Sequence, residues 1–354
     1  MAPGPTPPPD PPRLDDVDAL SEPDPALSEG EAWRRWQTWG PFGLGLAYGL
    51  VARFLIGLDA AGDLFSVMSI GFIFLVPLAI GFVTVYALPE PLTWARALSA
   101  PLVPVLLTLL GALVLLWEGL ICVVVWLPLA AVLGIVGGGI AAVVRRVDTR
   151  RRSLVLVSAA ALPFLVAPVE AQFDDPVQGR VVEDVVEIEA PAAVVWEQIR
   201  EVPAIGAAEL GPSFAHAVGF PRPIEARLVG TGVGSVRYAT FEGDVTFVER
   251  VTDWDEPREL AFAIDPSAVP ATAFDEHVAV GGRYFDVLEG RYRIREVAPG
   301  RVALSLSSTH RLSTRFNAYT RIWTDLFMRD IQQNILDVIR ARSGAAARGD
   351  GPER

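Results

Sequence analysis

Between Pro41 and Val169 the chain gathers its apolar residues into runs about as long as a bilayer is thick, while both flanks are rich in charge. A helix that crosses hydrocarbon needs about 20 apolar residues, because each backbone N–H and C=O must find its partner within the segment. Pro41–Leu58 and Ser66–Leu88 meet that length, parted by the acidic loop Asp59-Ala60-Ala61-Gly62-Asp63. Pro101–Val144 is about twice as long as one span and so must fold back on itself. Trp117-Glu118-Gly119 is the natural hairpin point, since it carries the charge of that run beside an aromatic suited to the interface. Ser153–Val169 follows a cluster of Arg145, Arg146, Arg150, Arg151 and Arg152. The expectation is a transmembrane helical region of about five spans over residues 41–170.

Arginine placement orients these spans. Cytoplasmic loops collect positive charge, and putting the Arg145–Arg152 cluster inside also puts Arg34, Arg35 and Arg96 inside. Asp59, Asp63, Glu118, Glu170, Asp174 and Asp175 then lie outside. The fifth span, with arginines before it and Val169-Glu170-Ala171 after it, also resembles an export signal. The N-terminus is therefore expected in the cytoplasm and everything after residue 170 outside it. Arg53 and Glu118 fall near the outer end of their spans and are expected to snorkel to the interface.

Composition narrows the partners. Of 354 residues 51% are hydrophobic, mean hydropathy is +0.36 and net charge is −12, so nucleic acid is excluded as an expected partner and the lipid bilayer is included. All 30 positive side chains are arginine, which with 31 Gly and 29 Pro fits a bacterial chain in the inner membrane. Residues 1–40 form an acidic, Pro-rich tail with too little apolar surface to offset its ordering entropy; residues 343–354 are expected to be a second disordered tail. Cys122 is the single cysteine and lies in an apolar run, so no intrachain disulfide forms.

The C-terminal half has a different grammar. In Val185-Val186-Glu187-Ile188-Glu189 apolar and acidic residues alternate as on a half-buried strand. Ala190-Pro191 ends it and opens a helix in which Val195, Ile199 and Val202 share a face. After a linker at 171–180, strands are expected at Val181–Glu189, Ile224–Val229, Gly234–Phe241, Asp244–Thr252, Glu259–Ile264, Arg283–Val297 and Arg301–Leu312, with turns at Gly or Pro. From Phe316 to Arg340 the period becomes helical, and Phe316, Tyr319, Trp323, Phe327, Ile331, Ile335 and Val338 form one stripe. Ser313 or Thr314 is the expected cap. Such a helix must cover something apolar, and the candidate is the concave face of a curved antiparallel sheet.

Ile188-Glu189-Ala190-Pro191 with Val195-Trp196, then Gly232-Val233-Gly234, then Val251-Thr252-Asp253-Trp254 and the closing helix resemble the START-like superfamily called SRPBCC. Within it they are most similar to the polyketide cyclase/dehydrase and lipid-transport-like branch. The resemblance spans about Arg180–Arg342. It implies an α+β helix-grip domain over residues 181–342, a sheet wrapped on a long C-terminal helix around an apolar cavity. Members bind lipids, hormones or polyketides, and a minority catalyse.

Alternation nominates the cavity lining. Leu306, Ser308 and His310 share one face of the last strand; Tyr284, Asp286 and Tyr292 are candidates in the strand before, and Tyr238, Phe262, Tyr319 and Trp323 complete the set. Converging polar groups in an apolar pocket mark a ligand site, although core tyrosines and a satisfied histidine look the same in sequence. If the domain is an enzyme, Asp286 and His310 are its acid–base pair. His216, His277 and His310 are too dispersed for zinc, and Asp275-Glu276-His277 is expected to be an exposed loop, so no metal and no cofactor is expected. Gly230-Thr231-Gly232-Val233-Gly234 lies between strands and reads as a turn rather than a phosphate cradle. The leading expectation is a membrane-anchored protein holding a hydrophobic or lipid-like small molecule. A polyketide cyclase or dehydratase, and a structural module of a membrane complex that binds nothing, remain as alternatives.

Overall fold

A computed structural model describes residues 29–58, 65–147, 152–269 and 279–349. The first part is a bundle of helices: α1 (Glu29–Ile56), a π-helical stretch (Gly71–Leu75) running into α2 (Val76–Ala87), α3 (Trp94–Ser99), α4 (Leu102–Val114), α5 (Leu120–Val147) and α6 (Arg152–Glu170). Four stretches are long and apolar enough to cross a bilayer: Gln37–Ile56, Trp94–Val114, Leu120–Val147 and Ser153–Glu170. The second expected span, Ser66–Leu88, holds only the shorter apolar helix Gly71–Ala87. The α4–α5 reversal falls at residues 115–119, as the Trp117-Glu118-Gly119 signal requires. Helix α1 begins at Glu29, within the stretch expected to be a tail; the tail residues before it and the loop Asp59–Asp63 lie outside the described residues.

Small residues let the bundle close. A Cβ on Gly81 would stand 2.0 Å from the carbonyl oxygen of Gly134, and one on Gly137 1.9 Å from that of Leu78. Helices α2 and α5 therefore meet backbone to backbone, a close van der Waals contact that only small residues allow. Arg53 and Glu118 pair with each other at 2.7 Å, with side chains 12% and 6% exposed, and Arg53 also donates to the Trp117 carbonyl. This corrects the expectation of snorkelling: the two helix ends bring opposite charges together, and pairing offsets the cost of their burial.

The second part is a cup. Its strands are β1 (Gln178–Ile188), β2 (Pro223–Val229), β3 (Val236–Phe241), β4 (Val245–Asp255), β5 (Glu259–Asp265), β6 (Phe285–Ala298) and β7 (Arg301–Leu312), with α7 (Ala192–Arg200), α8 (Phe214–Ala217) and the closing α9 (Asn317–Arg348). The linker is thus shorter than expected, and α9 runs on to Arg348 through the residues expected to be a tail. The seven strands form one antiparallel sheet in the order β1-β7-β6-β5-β4-β3-β2. The first strand joins the last, and the sheet folds around α9. Pro191 sits at the N-cap of α7, one position before its first turn. Helix α9 has no hydroxyl cap: Asn317 Oδ1 instead accepts from the Thr314 N–H and hydroxyl.

The core lies toward the C-terminal half of α9. Ile188, Trp196, Ile199, Leu260, Leu304, Leu336 and Ile339 are all at most 1% exposed there. Trp196 meets Trp254 edge to face at 5.2 Å. The N-terminal half of α9 carries the aromatic stripe away from that core, which leaves space beneath it.

Candidate functional site: a cavity shared by cup and bundle

The space is one cavity of about 310 Å³. From the cup its wall includes Phe241, Phe247, Phe262, Tyr292, Leu306 and Phe327; from the bundle it includes Met68, Phe72, Ile121, Val125 and Trp126. The bundle therefore forms part of the cavity wall beside the cup. Tyr319 donates its hydroxyl to the Val125 carbonyl at 2.5 Å, Ser66 Oγ and the Tyr284 hydroxyl lie 3.0 Å apart, and Phe74 packs edge-on against Phe316 at 5.8 Å. Ala215, Val218 and Phe327 form a buried cluster against Ile121, Val124 and Val125 of α5. The chain connection is braced as well: Arg315 pairs with Asp175 at 3.1 Å, and Glu170 accepts from the backbone N–H groups of Ile70 and Gly71.

Seven of the residues nominated from sequence line this cavity: Phe262, Tyr284, Tyr292, Leu306, Ser308, Tyr319 and Trp323. Trp323 is half-buried and packs toward α5, not into the helix–sheet core. Three do not line it. Tyr238 is 36% exposed and points outward, because β3 turns Arg237, Ala239 and Phe241 inward. A β-bulge between Val287 and Glu289 shifts the parity of β6. Before it Phe285 and Val287 face the cavity, after it Gly290 and Tyr292 do, and Asp286 is left on the other face beside its register partner Arg311. Burial still raises the Asp286 carboxyl above the usual range, with Arg311 pulling it down.

His310 keeps the inward parity of Leu306 and Ser308 but does not line the cavity. It is 0% exposed, lies 5.8 Å from the Phe285 ring and has no hydrogen-bond partner at either ring nitrogen among the described residues. Burial lowers its pKa from the ordinary histidine value. Asp286 and His310 therefore point to opposite faces of the sheet and form no acid–base pair. No cluster of three potential metal ligands occurs among the described residues; Asp275-Glu276-His277 lies outside them.

Sequence reasoning missed the cavity's charged group. Arg237 and Glu249 are register partners on β3 and β4; Arg237 Nη1 donates to Glu249 Oε2, and both side chains are under a tenth exposed. The guanidinium stands 5.3 Å over the Phe262 ring, a cation–π geometry. Burial pushes the Glu249 carboxyl up against the pull of Arg237, and it raises the Tyr292 phenol beside them. Since a guanidinium does not deprotonate, Glu249 is the member whose proton affinity responds to the surroundings. The signal was present: Ala239, Phe241, Val245, Phe247 and Val251 set an inward register in which Arg237 and Glu249 are the exceptions. Ser308 is held by Gln332, which donates to its hydroxyl at 2.8 Å.

No protein-family model matches the chain, and no curated protein matches it. Among solved structures it is similar to the Zhui aromatase/cyclase from Streptomyces sp. R1128, at 19% identity and a TM-score of 0.32, over 49% of this chain and 100% of that one. It is also similar to norcoclaurine synthase from Thalictrum flavum in complex with dopamine and hydroxybenzaldehyde, at 12% identity and a TM-score of 0.30, over 47% of this chain and 86% of that one. A third likeness is to a protein from Nitrosospira multiformis, at 18% identity and a TM-score of 0.29, over 48% and 99% of the two chains. The helix-grip description rests on the strand order and the closing helix themselves.

Proposed function

We propose that this chain is a membrane-anchored binding protein whose helix-grip cup holds a hydrophobic, lipid-like ligand on the outer face of a bacterial inner membrane. The observation that carries the reading is the shared cavity: about 310 Å³ of space, walled by apolar and aromatic side chains from both cup and bundle. Concave apolar pockets with a few placed polar groups are where small molecules bind. A ligand that leaves hydrocarbon for this cavity exchanges one apolar environment for another without crossing water. The arginine distribution supports the orientation. Arg145 donates to the Val85 and Leu88 carbonyls and pairs with Glu90, and Arg146 lies over Trp94, all at the end of the bundle away from the cup. Positive charge collects on the cytoplasmic side.

The cyclase or dehydratase alternative loses the pair that motivated it, since Asp286 and His310 do not converge. The test uses the full chain in lipid nanodiscs with a pyrene-labelled fatty ester. The parent chain should retain the probe, and Leu306→Trp, which fills the cavity, should abolish retention while leaving the circular dichroism spectrum intact. Equal retention by the two chains overturns the binding reading. A reporter active only outside the cytoplasm, fused after Arg342, should be active; a silent one overturns the orientation.

A further inference from the structure

The cavity has a donor end and a hydrocarbon end. At the cup end Arg237, Glu249 and Tyr292 meet over Phe262. A guanidinium has five N–H donors. Here one nitrogen serves Glu249 and the Tyr292 hydroxyl stands alongside, while Nε finds no acceptor among the described residues. A buried charged donor with unused capacity is a strong attractor for an oxygen acceptor. At the bundle end the wall is Phe72, Ile121, Val125 and Trp126, and the acid that joins them, Glu118, is engaged by Arg53.

Resting on the binding reading above, we infer that the ligand is a single-chain amphiphile with an uncharged oxygen head, an ester, ketone, amide or alcohol. Its head seats at Arg237 and its chain lies against the α5 wall. The head is uncharged because Arg237 and Glu249 already neutralise each other; a carboxylate would add an uncompensated charge to a site with little water. A single chain fits because about 310 Å³ stands at the bottom of the range of about 300–1,000 Å³ for small-molecule sites. The orientation follows from the polarity: the donors are deep in the cup, and hydrocarbon faces the bilayer side.

The experiment uses two photoactivatable methyl esters, with a diazirine at the chain end or beside the ester, and the full chain in nanodiscs. Labels that vanish in Leu306→Trp belong to the cavity, which separates them from labelling by bulk lipid. Chain-end labels of this kind should fall on Ile121–Trp126, and head-side labels on β3 and β4. The reverse pattern overturns the orientation; no label lost in Leu306→Trp overturns the binding reading on which it rests. Competition by methyl laurate, dodecane and laurate at pH 8 tests the head. Arg237→Met/Glu249→Leu, which leaves no unpaired charge, should lose about tenfold or more of the parent's preference for the ester over the alkane, the worth of a hydrogen bond to a charged group. Comparing parent with variant cancels partition into the bilayer. Laurate outcompeting the ester overturns the uncharged head, and an unchanged ester preference in the variant overturns its seat at Arg237.

Discussion

Arg237→Met removes the cation from a pair whose members are 5% and 8% exposed, and so strands Glu249 in the cavity wall. Breaking a buried pair by removing one partner costs about 3–5 kcal/mol, because the remaining charge keeps its desolvation penalty and loses its compensation. The lost cation–π contact with Phe262, at 5.3 Å, adds about 0.5–2 kcal/mol. Arg237→Met/Glu249→Leu should recover most of that loss, since an apolar replacement of a whole pair is often neutral. The dependence on pH has a definite sign. In the single variant Glu249 stays buried without its cation, so its folded-state pKa lies further above the unfolded value of about 4.5. The folded protein then holds the proton more tightly than the unfolded one, and stability falls as pH rises from about 4.5 through the folded value. The deficit of the single variant should therefore be smaller at pH 5 than at pH 8. Thermal unfolding of the full chain in micelles, followed by tryptophan fluorescence at both values, measures it. A single variant within about 0.5 kcal/mol of the parent, the range of ordinary surface substitutions, or a double variant worse than the single, would refute a buried coupled pair.

Three further outcomes follow from the same geometry. Trp196→Ala, at a side chain 1% exposed and edge-on to Trp254, should cost about 3–5 kcal/mol in the same melt; Trp323→Ala, at the half-buried cavity wall, should cost less. Burial places the His310 pKa below its unfolded 6.5. Its contribution to stability is therefore complete above pH 6.5 and is lost as pH falls below 6.5 toward the folded value, so His310→Leu should flatten the decline in melting temperature between pH 7.5 and 5.5. Gly81→Leu should prevent a folded bundle, because its Cβ alone would meet the Gly134 carbonyl at 2.0 Å; a monodisperse variant with the parent's melt contradicts the backbone contact of α2 and α5.

Where the sequence was readable and where it was not comes down to range. Leu306 and Ser308 follow from plain alternation, because β7 runs to Leu312 without a bulge and its period of two is undisturbed. The same rule misplaced Asp286, because the bulge after Val287 inserts a residue that the hydrophobic pattern does not announce. Tyr238 falls on the outward parity of β3, whose inward positions are Arg237, Ala239 and Phe241. Arg237 and Glu249 sit on the apolar face of two strands, and a charge in that register is a local violation that points to a site. The bundle wall was out of reach altogether: Tyr319 and Val125 are 194 positions apart, and no periodicity in either helix says which one meets the cup.

Mass spectrometry of small molecules released from the full chain, purified with its native lipids, tests the central claim most directly. The account predicts an apolar, oxygen-bearing molecule in near-stoichiometric amount from the parent chain and its loss from Leu306→Trp. Identical extracts from the two chains, matching the bulk lipid alone, would contradict it.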